Sequence, residues 1–404
     1  MSLVNVLRMV VVSVFLFWSV YNLPAFFAGL KRYMEVERSR GVEGPDPPEG
    51  RVPKVSIIVP VKNEEKVVGR LLEALVRLDY PEKEVIVVED GSSDRTGEIC
   101  RRYAEKYPNL IKFYHKEPSR GKPQAINYAA RRATGDIIAV YDADTVVAPD
   151  ILWWVVPHFR DPEVGMVQGG LYVVNPDENS VTRLSVLNEF MAHIQLLGRD
   201  KLGLFVPSRG THTYVRRRVL EELDYWDPRA LAEDLDLSVR LVKRGYRIKY
   251  VPVKAGVEAP SKLRVFLRQQ FRWFRGHVQA ALKHLGLPRP LDMRGLDAQL
   301  TLVWPLILPL TLLGYLLAVY CAVNPAVASP FERMVGMLLL ALSASAPVAL
   351  AATNPRNCVN LPLLFLSWNL TALISTAAVF HALLRRPAEW TRTEKTGAVT
   401  CPVG

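Results

Sequence analysis

The sequence predicts an α/β domain with a mostly parallel sheet, joined to an α-helical region that crosses a membrane. Three observations predict it. Short β-branched runs (Val55–Val59, Glu84–Val88 and Asp136–Tyr141) end in turn residues and alternate with helix-like stretches such as Glu65–Leu78 and Gly97–Lys106, the pattern of βαβ units. The segments Met9–Leu30, Ala298–Val323, Met334–Asn354 and Asn357–Leu384 carry no Lys, Arg, Asp or Glu. Each is long enough to cross ~30 Å of hydrocarbon at ~1.5 Å per residue. Half of the 404 residues are hydrophobic while 23% are charged, which suits two unlike regions in one chain.

Taken in order, residues 1–30 form an N-terminal transmembrane helix. The uncharged run Met9–Leu30 is longer than a signal-peptide core, and no clear small-residue cleavage site follows it. Residues 31–54 are a linker, Gly/Pro-rich and charged over Arg38–Lys54. The α/β domain occupies 55–257, amphipathic interface helices 258–296, transmembrane helices 297–385 and a tail 386–404. Lys31, Arg32, Arg38 and Arg40 place the α/β domain in the cytosol. Three further spans would then leave the C-terminus outside, yet Arg385, Arg386, Arg392 and Lys395 favour the inside. With the tail charge given precedence, one later segment is expected to be re-entrant or interfacial, or one long run to be broken.

The formal charge of +11 fits a protein held against anionic lipid or one that handles phosphates. No Lys/Arg block or nucleic-acid motif accompanies it, which argues against nucleic acid as a partner. Cys100, Cys321, Cys358 and Cys401 have neither metal spacing nor a paired framework and are expected to be free thiols.

The chemistry-bearing residues cluster after strands. In AVYDADT, Asp142 and Asp144 follow a hydrophobic run. Residues i and i+2 of an extended chain point the same way, so the two carboxylates can converge. Such a pair suits Mg²⁺ or Mn²⁺ carrying a diphosphate, or equally a solvated turn. In VVEDGSSD, Asp90 can accept a hydrogen bond from a base or ribose, while Ser92, Ser93 or Asp94 can cap a helix. Glu233 and Asp234 open a helix that ends at Gly245. Helix-start acidity accounts for them, and so does a general base facing an acceptor hydroxyl. Gln269, Arg272 and Trp273 fall at i, i+3 and i+4 of one helix face. There an indole can stack on a sugar and a guanidinium can grip phosphate. The surrounding Lys262–His284 stretch has the composition of an interfacial amphipathic helix.

In this order VPVKNEE, VVEDGSSD, GKPQAIN, DAD, AED and QQFRW, from Val55 to about Gly276, resemble the inverting family 2 glycosyltransferases, in particular the cellulose- and hyaluronan-synthase-like branch. The resemblance implies a GT-A fold, in which a Rossmann-like nucleotide half merges with an acceptor half. It implies that Glu64 and Asp90 contact the nucleoside, Lys122 lies near the nucleotide, and Asp142 and Asp144 hold the diphosphate and its Mn²⁺ or Mg²⁺. Asp234, with Glu233 beside it, would deprotonate the acceptor, and Gln269, Arg272 and Trp273 would line the donor–acceptor junction. Glu89 stands where relatives often carry Asp, so the nucleoside contact is assigned to Asp90. The tail EWTRTEKTG resembles the cytosolic gating segment of polymer synthases through Trp390, Thr391 and Arg392.

The implied activity is metal-dependent β-glycosyl transfer with inversion from a sugar-nucleotide, a UDP-sugar ahead of a GDP-sugar, at the cell membrane. A processive polysaccharide synthase is favoured by QQFRW and the gate-like tail. A non-processive glycolipid synthase, resembling ceramide glucosyltransferase or using a polyprenyl-phosphate acceptor, is favoured by the small number of spans. A nucleotide-sensing channel or transporter is the reading outside enzymology. It has no need of both a base carboxylate and a stacking Trp.

Overall fold

The computed structural model describes residues 3–39, 52–287, 291–324, 359–384, 386 and 393–400. The expected α/β domain is present, built on a seven-stranded mixed sheet. Its strands are β1 (Val55–Val61), β2 (Lys83–Glu89), β3 (Ile111–His115), β4 (Ile137–Val140), β5 (Val164–Val173), β6 (Thr213–Arg216) and β7 (Arg247–Val257). The spatial order is β3-β2-β1-β4-β6-β5-β7. Every neighbouring pair is parallel except the two that involve β6.

Every residue of β1, VSIIVPV, is buried, as a central strand covered on both faces requires. Its side chains alternate between two cores. Val55, Ile57, Val59 and Val61 join the first with Val85, Val87 and Leu71. Ile58 joins the second with Ile86, Val88, Ile126 and Leu237. The helices α2 (Val68–Val76), α3 (Thr96–Lys106) and α5 (Ile151–Val155) cover the first face. On the second lie α4 (Lys122–Ala130), α7 (Arg217–Glu222), α8 (Glu233–Lys243) and α9 (Leu263–His284).

The strand register decides which residues share an edge. Val61 pairs with Glu89 and Ile58 with Val140, so the chain leaves β1, β2 and β4 at one carboxyl edge, carrying Glu64, Asp90 and Asp142. Because β6 runs antiparallel, Thr213 pairs with Val140 and the residues before β6 arrive at that same edge. The carboxyl end of β7 joins them through the bridge between Val146 and Gly256.

The membrane helices meet expectation in part. The first, α1 (Leu3–Ser39), extends the uncharged run at both ends, and α12 (Leu361–Leu383) matches the last one. Both are long and apolar enough to cross a bilayer. The run Ala298–Val323 is broken, with α10 (Met293–Ile307) and α11 (Pro309–Val323) bent by 52°. The cause is Pro309, which has no N–H for the Pro305 carbonyl. Ser375 of α12 donates to that carbonyl instead, at 2.7 Å. Trp304 joins the bundle by stacking on Trp18 at 5.5 Å and meeting Trp368 at 5.7 Å. Met334–Asn354 lies outside the described residues.

Helix α1 docks on α6 (Ser180–Lys201) through glycines. A Cβ on Gly198 would sit 1.6 Å from the Ala25 carbonyl oxygen, and one on Gly29 1.9 Å from that of Ile194. Only bare backbone permits this approach. Replacing Gly198 by Ala is expected to cost ~3 kcal/mol or more, beyond ordinary overpacking, read as a lowered thermal midpoint in detergent. The control is G286A, where an added methyl meets nothing within 4 Å.

Candidate active site

The two motif aspartates lie in a turn just past β4, closed by Thr145 N–H donating to the Asp142 carbonyl at 3.0 Å. The i, i+2 argument for an extended chain therefore does not describe them, and each carboxylate goes to its own lysine. Lys122 Nζ lies 2.7 Å from Asp142 Oδ1. Lys395 Nζ lies 2.6 Å from Asp144 Oδ2, which also accepts from the Glu258 N–H at 3.0 Å. The Thr211 hydroxyl accepts from the Asp142 N–H at 3.0 Å, tying the turn to the segment before β6. Burial works against the Asp144 charge, but Lys395 and the Glu258 N–H outweigh it and hold the carboxyl below its usual range.

Helix α4 starts at Lys122 and aims its ammonium across this edge, where it also donates to the Gly210 carbonyl at 3.0 Å and lies 3.6 Å from Glu233 Oε1. Burial opposes its charge, and Asp142 followed by Glu233 holds its pKa above the ordinary lysine value. Gly210 has φ +76°, and a Cβ there would come within 3.1 Å of Asp234 Oδ2. A glycine at that position lets Lys122 and Asp234 share one small space.

As expected, Glu233 and Asp234 open α8, which ends before Gly245 at φ +87°. The Asp234 pKa is pushed up to about 7, by burial first and the Glu233 charge second, with Lys122 opposing. A carboxylate with that pKa exchanges protons near neutral pH, as a general base should.

Helix α9 carries QQFRW over α8. Gly276 permits the crossing, since a Cβ there would lie 2.8 Å from that of Ala232. Asp236 locks the pair by accepting from Lys283 at 2.5 Å and sitting 2.7 Å from His284 Nε2. Burial opposes the Asp236 charge, and these partners together with Arg240 hold its pKa low. So placed, Arg272 feels Glu233, Asp142 and Asp234, which counter the burial that pulls its pKa down. Gln269 donates to the Thr393 hydroxyl at 3.4 Å. Trp273 is 45% exposed, leaving an indole surface available.

Glu64 follows β1, and its backbone N–H donates to Thr96 Oγ1 at 2.7 Å. With Asn63, Asp94 and Lys395 it borders a cavity of about 150 Å³. Asp90 is engaged within the fold. Its carboxylate accepts from Ser119 Oγ at 2.7 Å, from the N–H groups of Arg120 and Gly121 at 3.2 and 2.9 Å, and from Lys116 at 3.4 Å. It thereby shapes the loop that leads into α4. Glu89 contacts His115 and the Ser92 N–H, so both acidic residues of the motif are engaged within the fold. Asp94, one of the three candidate caps, accepts from the Thr96 N–H at 3.0 Å at the start of α3.

Neither Glu258 nor Lys395 was expected at the site. Glu258 follows β7, so the rule that ligands gather at strand carboxyl ends could have found it. Lys395 had only its place in a basic tail as a signal. Glu258 accepts from the Thr396 N–H at 2.6 Å and the Gly397 N–H at 2.9 Å. The described tail thus lies against the α/β domain. Trp390, Thr391 and Arg392 lie outside the described residues.

Asp142 and Asp144 each offer the hard oxygen donors that suit a divalent cation, and in this structure each is paired with a lysine. Among the described residues no group of three or more His, Cys, Asp or Glu could hold an ion by itself, so phosphate oxygens would complete the coordination.

Residues 53–276 match the profile described as glycosyltransferase like family 2. The chain belongs to that family. This family 2 glycosyltransferase is 35% identical over 286 residues to the probable glycosyltransferase YdaM of Bacillus subtilis, covering 68% of this chain and 67% of that protein. It is 34% identical over 243 residues to the beta-monoglucosyldiacylglycerol synthase of Trichormus variabilis, 59% of this chain and 52% of that enzyme, and so spans about half of that relative's length. Identity to the poly-beta-1,6-N-acetyl-D-glucosamine synthase of Staphylococcus aureus is 28% over 287 residues, 70% of this chain and 67% of that enzyme. Among solved structures, the mannosyltransferase PcManGT from Pyrobaculum calidifontis, in complex with GDP-Man and Mn²⁺, matches with a TM-score of 0.63 and 24% identity over 95% of this chain and all of that one. The sheet order and this likeness agree on the expected GT-A-like fold for the family 2 glycosyltransferase.

Proposed function

We propose that this chain is a membrane-integrated, inverting β-glycosyltransferase that takes a sugar-nucleotide with Mn²⁺ or Mg²⁺ in the cytosol and extends a polysaccharide. One observation carries the reading: Asp142 and Asp234 meet around Lys122, with Asp144 in the same turn and Arg272 facing the group. A bound divalent cation neutralises charge that develops on the leaving nucleoside diphosphate. Lys122 and Arg272 supply further positive charge to the same phosphates. Asp234 takes the proton of the incoming hydroxyl, and Glu233 keeps its basicity high. One displacement with one base inverts the anomeric carbon, so an α-linked donor yields a β-linkage. Trp273 offers an exposed face on which an acceptor sugar stacks. Glu64 is assigned to the nucleoside. Asp90 acts on it through the loop that it holds.

The QQFRW helix and the poly-N-acetylglucosamine synthase relative support a polymer product. A second reading, a single transfer to a lipid, is supported by the few described spans and by the diacylglycerol synthase relative. Purified protein in nanodiscs, given Mn²⁺ and radiolabelled UDP- or GDP-sugars, is expected to build a ladder of lengthening products from a UDP-sugar. A single labelled lipid spot would replace the polymer reading with the lipid one. No turnover of any sugar-nucleotide would overturn both.

A further inference from the structure

The segment Ser208–His212 leads into β6 and touches the active site at three points without supplying a reacting group. The Gly210 carbonyl accepts from Lys122 at 3.0 Å. The Gly210 Cα faces Asp234, where a Cβ would come within 3.1 Å of Oδ2. Thr211 Oγ1 accepts from the Asp142 N–H at 3.0 Å and lies 2.9 Å from the Thr145 hydroxyl. Gly210 has φ +76° and His212 φ +50°. A backbone that turns left-handed twice in three residues does not hold its shape by local preference.

Side chains from two other elements supply that shape. From beneath, the buried Gln168 of β5 donates to the Thr211 and His212 carbonyls at 3.1 and 3.3 Å and accepts from the Arg209 N–H and the Thr213 hydroxyl, both at 2.8 Å. These bonds pass over Gly210, the residue between Lys122 and Asp234. From the side, Glu189 of α6 accepts from Arg209 Nη1 and Nη2 at 2.5 and 2.7 Å. A two-pronged pair of this kind fixes direction as well as distance. Burial opposes the Arg209 charge, and Glu189, with Tyr250 and Asp234 adding to it, holds the guanidinium above its ordinary range. Helix α6 is a firm base for the grip. Asn179 caps its start, Asn188 meets Ser367 of α12 at 2.8 Å, Arg199 reaches Asp297 of α10 at 2.5 Å, and Asp200 takes Lys249 of β7 at 2.8 Å.

We propose that Glu189 is a positioning residue for glycosyl transfer: by gripping Arg209 it holds Gly210 and Thr211 against Lys122, Asp142 and Asp234. The inference rests on the assignment of those three residues to the reaction. Glu189 acts through Arg209 and has no need to touch donor or acceptor. The lysine that meets the diphosphate and the base that takes the proton are then set by one short piece of backbone. Loosening it by ~1 Å misplaces the base against the acceptor hydroxyl, a shift worth on the order of 10² in rate. The turn that carries Asp142 and Asp144 keeps its own hydrogen bond, from the Thr145 N–H to the Asp142 carbonyl at 3.0 Å, so donor binding survives the loosening.

The test uses the full chain in nanodiscs and reads steady-state transfer, equilibrium UDP binding with Mn²⁺, and the thermal midpoint. The double variant E189M/R209M removes both buried charges together. An apolar replacement of a whole buried pair is often neutral or stabilising, so its midpoint is expected at or above that of wild type. Its kcat is nevertheless expected to fall about 10²-fold, with UDP affinity close to wild type. The single variant R209K keeps the positive charge beside Asp234 and loses the fork. It is expected to show the same loss of kcat at unchanged UDP affinity. Wild-type kcat in either variant overturns the proposal, and so does a loss of UDP binding as large as the loss of kcat, which would make the segment part of the donor seat. Wild-type rates in both variants beside an inactive D234N overturn this inference alone. No turnover by wild type with any sugar-nucleotide overturns the reading on which it rests, and the inference with it.

Discussion

Substituting asparagine for Asp234 is expected to abolish sugar transfer while leaving the donor bound. The side chain keeps its shape and loses the capacity to accept a proton, a function worth ~10²–10⁴ in rate. A loss confined to kcat, with donor affinity close to wild type, marks a group that acts only in the transition state. Steady-state transfer and equilibrium UDP binding on the same preparation check the two halves. Wild-type turnover by D234N would remove Asp234 from the reaction. The pH profile gives an independent reading. Because the Asp234 pKa is raised to about 7, the base is protonated on the acid side. Hence kcat/KM should rise about tenfold per pH unit below that value and level off above it. Removing the neighbouring charge with E233Q should move the inflection to lower pH, since Glu233 is the second cause of the upward shift.

Chelation of divalent metal is the second large effect. Stabilising a departing diphosphate by several kcal/mol corresponds to ~10²–10³ in rate. Treatment with EDTA should therefore silence transfer, and Mn²⁺ or Mg²⁺ should restore it. D144N should lose a similar factor and stay unrescued by added Mn²⁺, because its remaining carboxamide cannot neutralise a dication. Full activity in EDTA would mean that Lys122 and Lys395, each within 2.7 Å of a motif aspartate, carry the diphosphate charge without a cation.

Much of this molecule was legible from its residues alone. The β-branched runs marked β1, β2 and β4 to within a residue or two at most ends, and Glu233 and Gly245 bracketed α8. The motif order located the carboxyl edge that the register then built. The predicted helix Glu65–Leu78 shortened to Val68–Val76, because residues 63–66 turn to meet Ser92, Ser93 and Asp94. Asp90 was placed on the right loop, but its many local donors were invisible without the fold of residues 116–121. The break at Pro309 was one of the options that the charge conflict left open, and its carbonyl partner on α12 came from packing.

By itself the sequence determined three of the strands, the helix that Glu233 opens and the family, since periodicity, turn chemistry and motif order are local properties of a chain. Only the tertiary structure decided which charges meet. Lys395 and Asp144 stand 251 residues apart, and Glu258 reaches them because the end of β7 is bridged through Gly256 to Val146, just past the aspartate turn. Such meetings depend on strand register and helix crossing, which single-residue propensities do not encode.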